Sequence, residues 1–213
     1  MPGEQIGEVR AYDNESDLIL HVKDIVQQVL HTGASPPTIL VIGALGRCGS
    51  GAVDCCQKLG IDNILQWEMS ETARDGPFKE IVQSDVFINC IYLNEQIPPF
   101  IDEKSLNTAE RRLSVVVDVS CDISNPFNPI PIYNANTTFT NPTVRFATSL
   151  GPELDVISID HLPSLLPREA SEEFSQALLN SLLQLDKWRT TRVWSEAENL
   201  FQRKVGEMNN VEA

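Results

Sequence analysis

TILVIGALGRCGSGA, Thr38 to Ala52, decides the fold: an apolar, β-branched run ends in glycines at Gly43, Gly46, Gly49 and Gly51, after which apolar spacing resumes through Val53, Cys55, Cys56 and Leu59. A strand that meets glycines and continues as a helix opens a dinucleotide-binding βαβ unit. The glycines divide the work. One permits the sharp turn, one lets the backbone approach a pyrophosphate, and one lets the helix pack on the strand, while N–H groups of the first helical turn attract phosphate charge. The spacing is GxxGxxG rather than the usual GxGxxG, so the loop alone also reads as a glycine turn that binds nothing.

Working outward, the next strand is expected over Ile64–Trp67 and ends at Glu68, 22 residues beyond Gly46. An acidic residue at about that distance accepts hydrogen bonds from the adenosine ribose and repels the extra phosphate of NADP. An exposed strand-end carboxylate is the plainer reading of Glu68. Thr72 and Arg74 follow on a loop where they reach the adenosine half. Upstream, Leu18, Val22, Ile25, Val26, Val29 and Leu30 fall at helical spacing before a stop at Gly33. Residues 1–14 are polar and read as a loose tail.

Downstream, a short helix over Phe78–Gln83 leads to the apolar strand Asp85–Tyr92, of the doubly buried kind expected in a parallel sheet. A helical segment near Asp102–Arg111 precedes SVVVDVS, Ser114–Ser120, the most β-prone stretch, which delivers Ser120, Cys121 and Asp122 to the same edge. Residues 124–142 are rich in proline and asparagine and read as an irregular excursion with a short strand near Ile132–Phe139. Strands near Thr143–Thr148 and Val156–Ile159 follow, and the second empties into Asp160, His161 and Leu162. A carboxylate beside an imidazole resembles an acid/base pair, and equally a packed histidine with a satisfied ring. Two amphipathic helices, Ala170–Leu185 and Trp194–Val205, lie beyond what the sheet needs, and their apolar faces demand a further surface. The expected organisation is a tail and entry helix over 1–35, a dinucleotide-binding domain over 36–167, and a helical return segment over 168–213.

Composition narrows the function. Thirty acidic against sixteen basic side chains give a net charge of -14, which repels phosphate backbones and anionic lipid, so nucleic acid and membrane are not expected partners. No apolar run approaches the roughly 20 residues of a membrane span, and the opening residues lack a signal-peptide pattern. The expectation is a soluble intracellular protein, cytoplasmic, with the peroxisome left open. The five cysteines lack paired zinc-site spacing, so no metal is expected. Cys48, in the glycine loop, and Cys90, ending a neighbouring strand, stand apart as candidate reactive or disulfide-forming thiols.

The strings TILVIGALGRCGSGAVD, FINCIYL, VVVDVSCDISNPFNPIPIY and VISIDHLPSLLPREAS resemble the NAD-dependent, lysine-forming saccharopine dehydrogenases, from about Pro37 to Lys204. That resemblance implies oxidative deamination of saccharopine to lysine and 2-oxoglutarate, with hydride passing to NAD and water hydrolysing the imine. It implies an α/β fold, Rossmann-like and doubly wound on a mainly parallel sheet, with an active site between two such domains. By resemblance, Gly46 and Arg47 contact the pyrophosphate, beside Gly43 and Gly49. Glu68 and Thr72 contact the adenosine ribose, and Tyr92 and Val119 the dinucleotide's middle. Ser120, Cys121 and Asp122 face saccharopine, and Ile159, Asp160, His161 and Leu162 lie beside the nicotinamide. The family usually has aspartate where Glu68 stands, and a longer carboxylate makes the same bond. Cys48 and Cys90 match two cysteines able to form a disulfide near the loop.

The sequence departs from the family in one large respect. Family members carry an N-terminal domain that supplies the catalytic lysine and histidine and the arginines that grip substrate carboxylates, and nothing in this sequence matches it. The chain therefore reads as the cofactor-binding portion, inactive without a complementary N-terminal domain on which the C-terminal helices would pack. Two other readings stand beside this one: a catalytically dead dinucleotide-binding protein, and an unrelated NAD-dependent amino or hydroxy acid dehydrogenase using Asp160 and His161.

Overall fold

A computed structural model of the chain describes residues 7–121 and 123–211. The chain divides into two compact units, Met1–Leu165 and Leu166–Ala213. The first unit opens with α1, Glu15–His31, whose Asn14 cap accepts from the Asp17 N–H at 3.0 Å. Glu15 and Asp17 complement the positive end of the helix. Residues 9–12 of the stretch expected to be loose are tied down, the Val9 N–H donating to the Phe139 carbonyl and the Tyr12 N–H to that of Leu165, both at 2.8 Å.

The sheet has six strands: β1 (Ile39–Ile42), β2 (Ile64–Trp67), β3 (Val86–Asn89), β4 (Val115–Asp118), β5 (Val144–Phe146) and β6 (Leu154–Ile157). Their spatial order is β2-β1-β3-β4-β6-β5. All neighbours are parallel except the edge strand β5, which runs antiparallel to β6. From β1 the chain moves to one side to make β2, then crosses to the other side to make β3. The strand order therefore reverses between β1 and β3, the switch point at which sheets of this class bind ligands. This is the Rossmann-like α/β arrangement.

Alternation along the strands builds two cores. Leu40, Ile42, Phe87, Val116, Leu154 and Val156 join Ile81, Phe100, Ile101 and Leu106 on one face. Ile39 and Val41 join Val53 and Cys56 of α2 (Arg47–Lys58), and Leu59 that follows it, on the other, where Ile19 and Val22 of α1 pack from outside. Each large side chain fully buried here contributes about 1.5–3 kcal/mol. Short helices α3 (Met69–Thr72), α4 (Lys79–Gln83) and α5 (Glu103–Leu106) complete the unit. The expected helix near Asp102–Arg111 is thus a single turn. A capping box closes its start, the Ser105 N–H donating to Asp102 Oδ1 at 2.7 Å and the Asp102 N–H to Ser105 Oγ at 2.9 Å. The strand expected over Ile132–Phe139 reduces to one bridge between Thr137 and Ile159; just upstream of it the Ile130 N–H donates to Asn128 Oδ1 at 2.8 Å, a local turn in place of a sheet ladder.

In the second unit, α6 (Pro167–Leu182) starts with proline in its first turn. A 20-residue helix, α7 (Arg192–Val211), follows. The Trp194 indole N–H donates to the Ser181 carbonyl at 2.8 Å and ties the two helices. Phe174, Leu183, Phe201 and Met208 remain exposed.

Arg111 clasps the end of the first unit. Its buried guanidinium donates to the carbonyls of Leu106 (2.7 Å), Leu113, Leu150 (2.9 Å) and Pro152 (2.5 Å) and to Thr148 Oγ1 (2.8 Å). No other side chain could satisfy so many carbonyls from one point. Arg111→Met should lower unfolding free energy by about 2–4 kcal/mol, since buried acceptors lose their donors. A denaturant midpoint equal to that of the unchanged protein would mean that water replaces the clasp.

Candidate functional site

Two of the roles expected of the glycines, the tight turn and the close helix–strand approach, are visible in the loop's geometry. Gly43 has φ of 79°, a turn that L side chains resist, and an added Cβ would lie 2.6 Å from Ile91 Cγ2. At Gly49 an added Cβ would lie 2.0 Å from the Gly43 carbonyl oxygen, so α2 starts hard against the end of β1. Gly46 caps α2 and is exposed, and Arg47 and Cys48 are exposed beside it in the first turn. Gly51 has open space where a Cβ would go, so the fourth glycine has no packing role.

Glu68 sits at the end of β2 and turns towards this loop. Its Oε1 accepts from the Leu45 N–H at 2.5 Å. The Glu68 N–H donates in turn to Glu71 Oε2 at 2.7 Å, and this bond, with that from Ser70, holds the Glu71 carboxyl below its usual range. Thr72 Oγ1 donates back to the Glu68 carbonyl at 3.2 Å. The loops after β1, β2 and β3 enclose a cleft of about 600 Å³, with Gly43, Glu68, Thr72 and Tyr92 in its wall and Ile42, Ile91 and Ile97 supplying apolar surface. Tyr92 is 64% exposed and lies on the open side rather than in the core. Four of the expected cofactor residues therefore share one cavity.

The remaining expected residues stand at the ends of the next strands. Val119 and Ser120 follow β4, and Ile159, Asp160, His161 and Leu162 follow β6, on the same carboxyl edge because these strands are parallel. From β2 to β6 the edge spans four strand spacings, roughly 19 Å. Asp118 is 1% exposed and lies in register with the fully buried Asn89. Its carboxylate accepts from Asn89 Nδ2 at 2.9 Å, Ser120 Oγ at 2.7 Å and the Tyr133 hydroxyl at 2.6 Å. Burial and this bond push the Tyr133 phenol well above its ordinary range. The Cys121 N–H also donates to Asp118, at 3.3 Å, and Cys121 takes a φ of 31°, rare for a residue other than glycine. Asp122 lies outside the described residues. Sequence reading missed Asn89, Asp118 and Tyr133. A polar residue ending each of two adjacent apolar strands was the available signal.

His161 Nδ1 and Asp160 Oδ1 are 2.7 Å apart, both side chains exposed. The ring stacks on Phe139 with centroids 4.8 Å apart. Two residues before that phenylalanine, Thr137 Oγ1 accepts from the Ser158 N–H at 2.9 Å. Arg168 belongs to the second unit and pairs with Glu169 at 3.0 Å. No group of His, Cys, Asp and Glu suited to a metal ion occurs among the described residues, and no described helix is long and apolar enough to cross a membrane.

No family model matches the chain. Curated proteins match it closely. Saccharopine dehydrogenase (NAD+, L-lysine-forming) of Yarrowia lipolytica is 55% identical over 204 residues, covering 95% of this chain and 55% of that protein. Proteins of the same name from Candida glabrata and Schizosaccharomyces pombe are 55% and 52% identical, over 94% and 96% of this chain and 54% and 56% of theirs. The chain is homologous to a portion of these saccharopine dehydrogenases. It spans about half the length of the curated relatives it matches.

Cys48 and Cys90 are both free thiols in this structure. Burial, with Cys48 and Asp118 nearby, pushes the Cys90 thiol up to about 12, whereas Cys48 is exposed. The unfolded chain would ionise Cys90 near its ordinary value of about 8.5, so the contribution of this burial to stability is complete below that pH and lost as pH rises towards 12. Iodoacetamide at pH 8 should therefore modify Cys48 well before Cys90. Equal rates, read by peptide mass spectrometry, would show that Cys90 is not shielded.

Proposed function

We propose that this chain is the NAD-binding portion of an enzyme that oxidises saccharopine and releases lysine and 2-oxoglutarate. The observation that carries the reading is the cleft at the strand-order reversal, with Gly43 and Glu68 in its wall and Gly49 letting α2 start hard against the end of β1. The residues fit the dinucleotide. The exposed Gly46 leaves room for a pyrophosphate at the start of α2, Ile91 and Ile97 give an apolar wall, and Glu68 is the acceptor for ribose hydroxyls. The same carboxylate disfavours a 2′-phosphate.

NAD supplies a hydride acceptor for the carbon bearing the secondary amine of saccharopine. The chain's own part is to bind and orient. Glu68 and Thr72 fix the adenosine end, while Gly46 and Arg47 receive the pyrophosphate. Tyr92 and Val119 border the middle, and Ile159 to Leu162 form the nicotinamide end. Ser120 and Cys121, held by Asp118, offer hydroxyl and backbone groups to the amino-acid substrate. His161, paired with Asp160, is able to carry a proton at Nε2 while Nδ1 bonds the carboxylate. The substrate's several carboxylates call for cations that the cleft wall lacks, since Arg74 is its one positive residue. We therefore assign the carboxylate-binding groups, and any proton-transfer groups beyond His161 and Asp160, to a complementary domain of the kind that the longer relatives have room for. The exposed apolar side chains of α6 and α7 are assigned to contact with that domain.

The test is a calorimetric titration of the chain with NAD and with NADP. Saturable NAD binding, stronger than NADP binding, is expected, and Gly46→Val should reduce affinity at least tenfold, because a branched side chain would fill the pyrophosphate's space (a loss of about 1.4 kcal/mol or more). Unchanged affinity in Gly46→Val would remove the loop from the site. Turnover of saccharopine should appear only when the complementary half of a relative is added, and turnover by this chain alone would contradict the division of labour.

A further inference from the structure

The cleft wall contains three acidic side chains, Glu68, Asp75 and Glu95, and one basic one, Arg74. Arg74 is the group that could reverse the cofactor preference expected from Glu68. A guanidinium beside the adenosine ribose binds a 2′-phosphate through paired hydrogen bonds, and that charge-assisted contact is strong. Three neighbours engage it. Its Nη2 donates to Glu80 Oε1 at 2.6 Å. The guanidinium carbon lies 5.4 Å from the ring centroids of both Trp67 and Phe78. Those rings meet edge to face in the core, with centroids 5.4 Å apart, so the platform under Arg74 is fixed.

We infer that Glu80, which is not in the wall of the cleft, sets the preference for NAD over NADP by engaging Arg74, the only basic side chain there. The inference rests on the dinucleotide reading above. Paired with Glu80, Arg74 adds no net charge, and the three acids of the wall then repel a 2′-phosphate without opposition. Without the Glu80 carboxylate, the guanidinium keeps its ring platform and has N–H donors to offer. Glu80 acts through Arg74 and so is a positioning residue.

The pair is partly exposed, with 55% and 39% of the two side chains accessible, so its loss costs the fold little. That makes Glu80→Gln, which keeps the shape and removes the charge, an informative variant. Calorimetric titrations of the 213-residue chain with NAD and NADP, before and after the substitution, read the ratio of the two affinities. NADP affinity should rise about tenfold, the scale of one charge-assisted contact, with NAD affinity within about twofold of its original value. The double variant Glu80→Gln/Arg74→Gln should lose the gain. An unchanged ratio in a Glu80→Gln protein that still binds NAD would overturn the inference alone, as would a gain that survives loss of Arg74. If neither the original nor the variant binds NAD, the dinucleotide reading falls and the inference with it.

Discussion

No side chain fits between the first turn of α2 and the end of β1. A Cβ at Gly49 would lie 2.0 Å from the Gly43 carbonyl oxygen, far inside any permitted contact, and the atoms it meets are backbone. This approach lowers α2 onto the sheet, where Val53, Cys56 and Leu59 join Ile39 and Val41. It also sets the height of the exposed Gly46–Arg47 turn above the carboxyl edge. Gly43 then places the loop against Ile91 and Cys90 at the end of β3. The cleft exists because two glycines bring three strand ends and a helix together.

A second constraint organises the middle of that edge. Asn89 and Asp118 end adjacent strands in register and are almost wholly buried. A buried carboxylate without a cation is costly, and donors from Asn89, Ser120, Tyr133 and the Cys121 backbone offset that cost. Because those donors come from three segments, the network also fixes where the chain goes after β4, including the left-handed turn at Cys121. Strained backbone persists where its surroundings over-determine it.

Much of this was legible in the residues. The helix and strands around the glycines, and the position of Glu68 at the end of β2, followed from periodicity and spacing, because that segment is local. The long irregular stretch was not legible. Nothing near Thr137 announces that it will pair Ile159, or that Phe139 will stack on His161, since both contacts depend on where β6 falls in the sheet. Arg111 entered the sequence reading only as the end of a helical segment, and its role as a buried clasp is visible only when the 148–152 segment arrives beside it. Asp118 and Asn89 fell inside the expected strands and were not singled out, and register alone makes them a pair.

The charge and surface of the chain argue in one direction about chemistry. The cleft carries acids suited to hydroxyl groups and to excluding a further phosphate, with its one cation already engaged by a carboxylate. Such a surface is poor at gathering an amino acid that bears several carboxylates. His161 and Asp160 have a geometry fit for moving a proton, but they are exposed to water, and a proton relay gains most of its advantage when water is excluded. In the second unit α6 buries no residue, and with α7 it leaves Phe174, Leu183 and Phe201 uncovered. Amphipathic helices draw most of their stability from packing their apolar faces against other surface. The relatives, at about twice the chain's length, have room for a surface that covers those side chains.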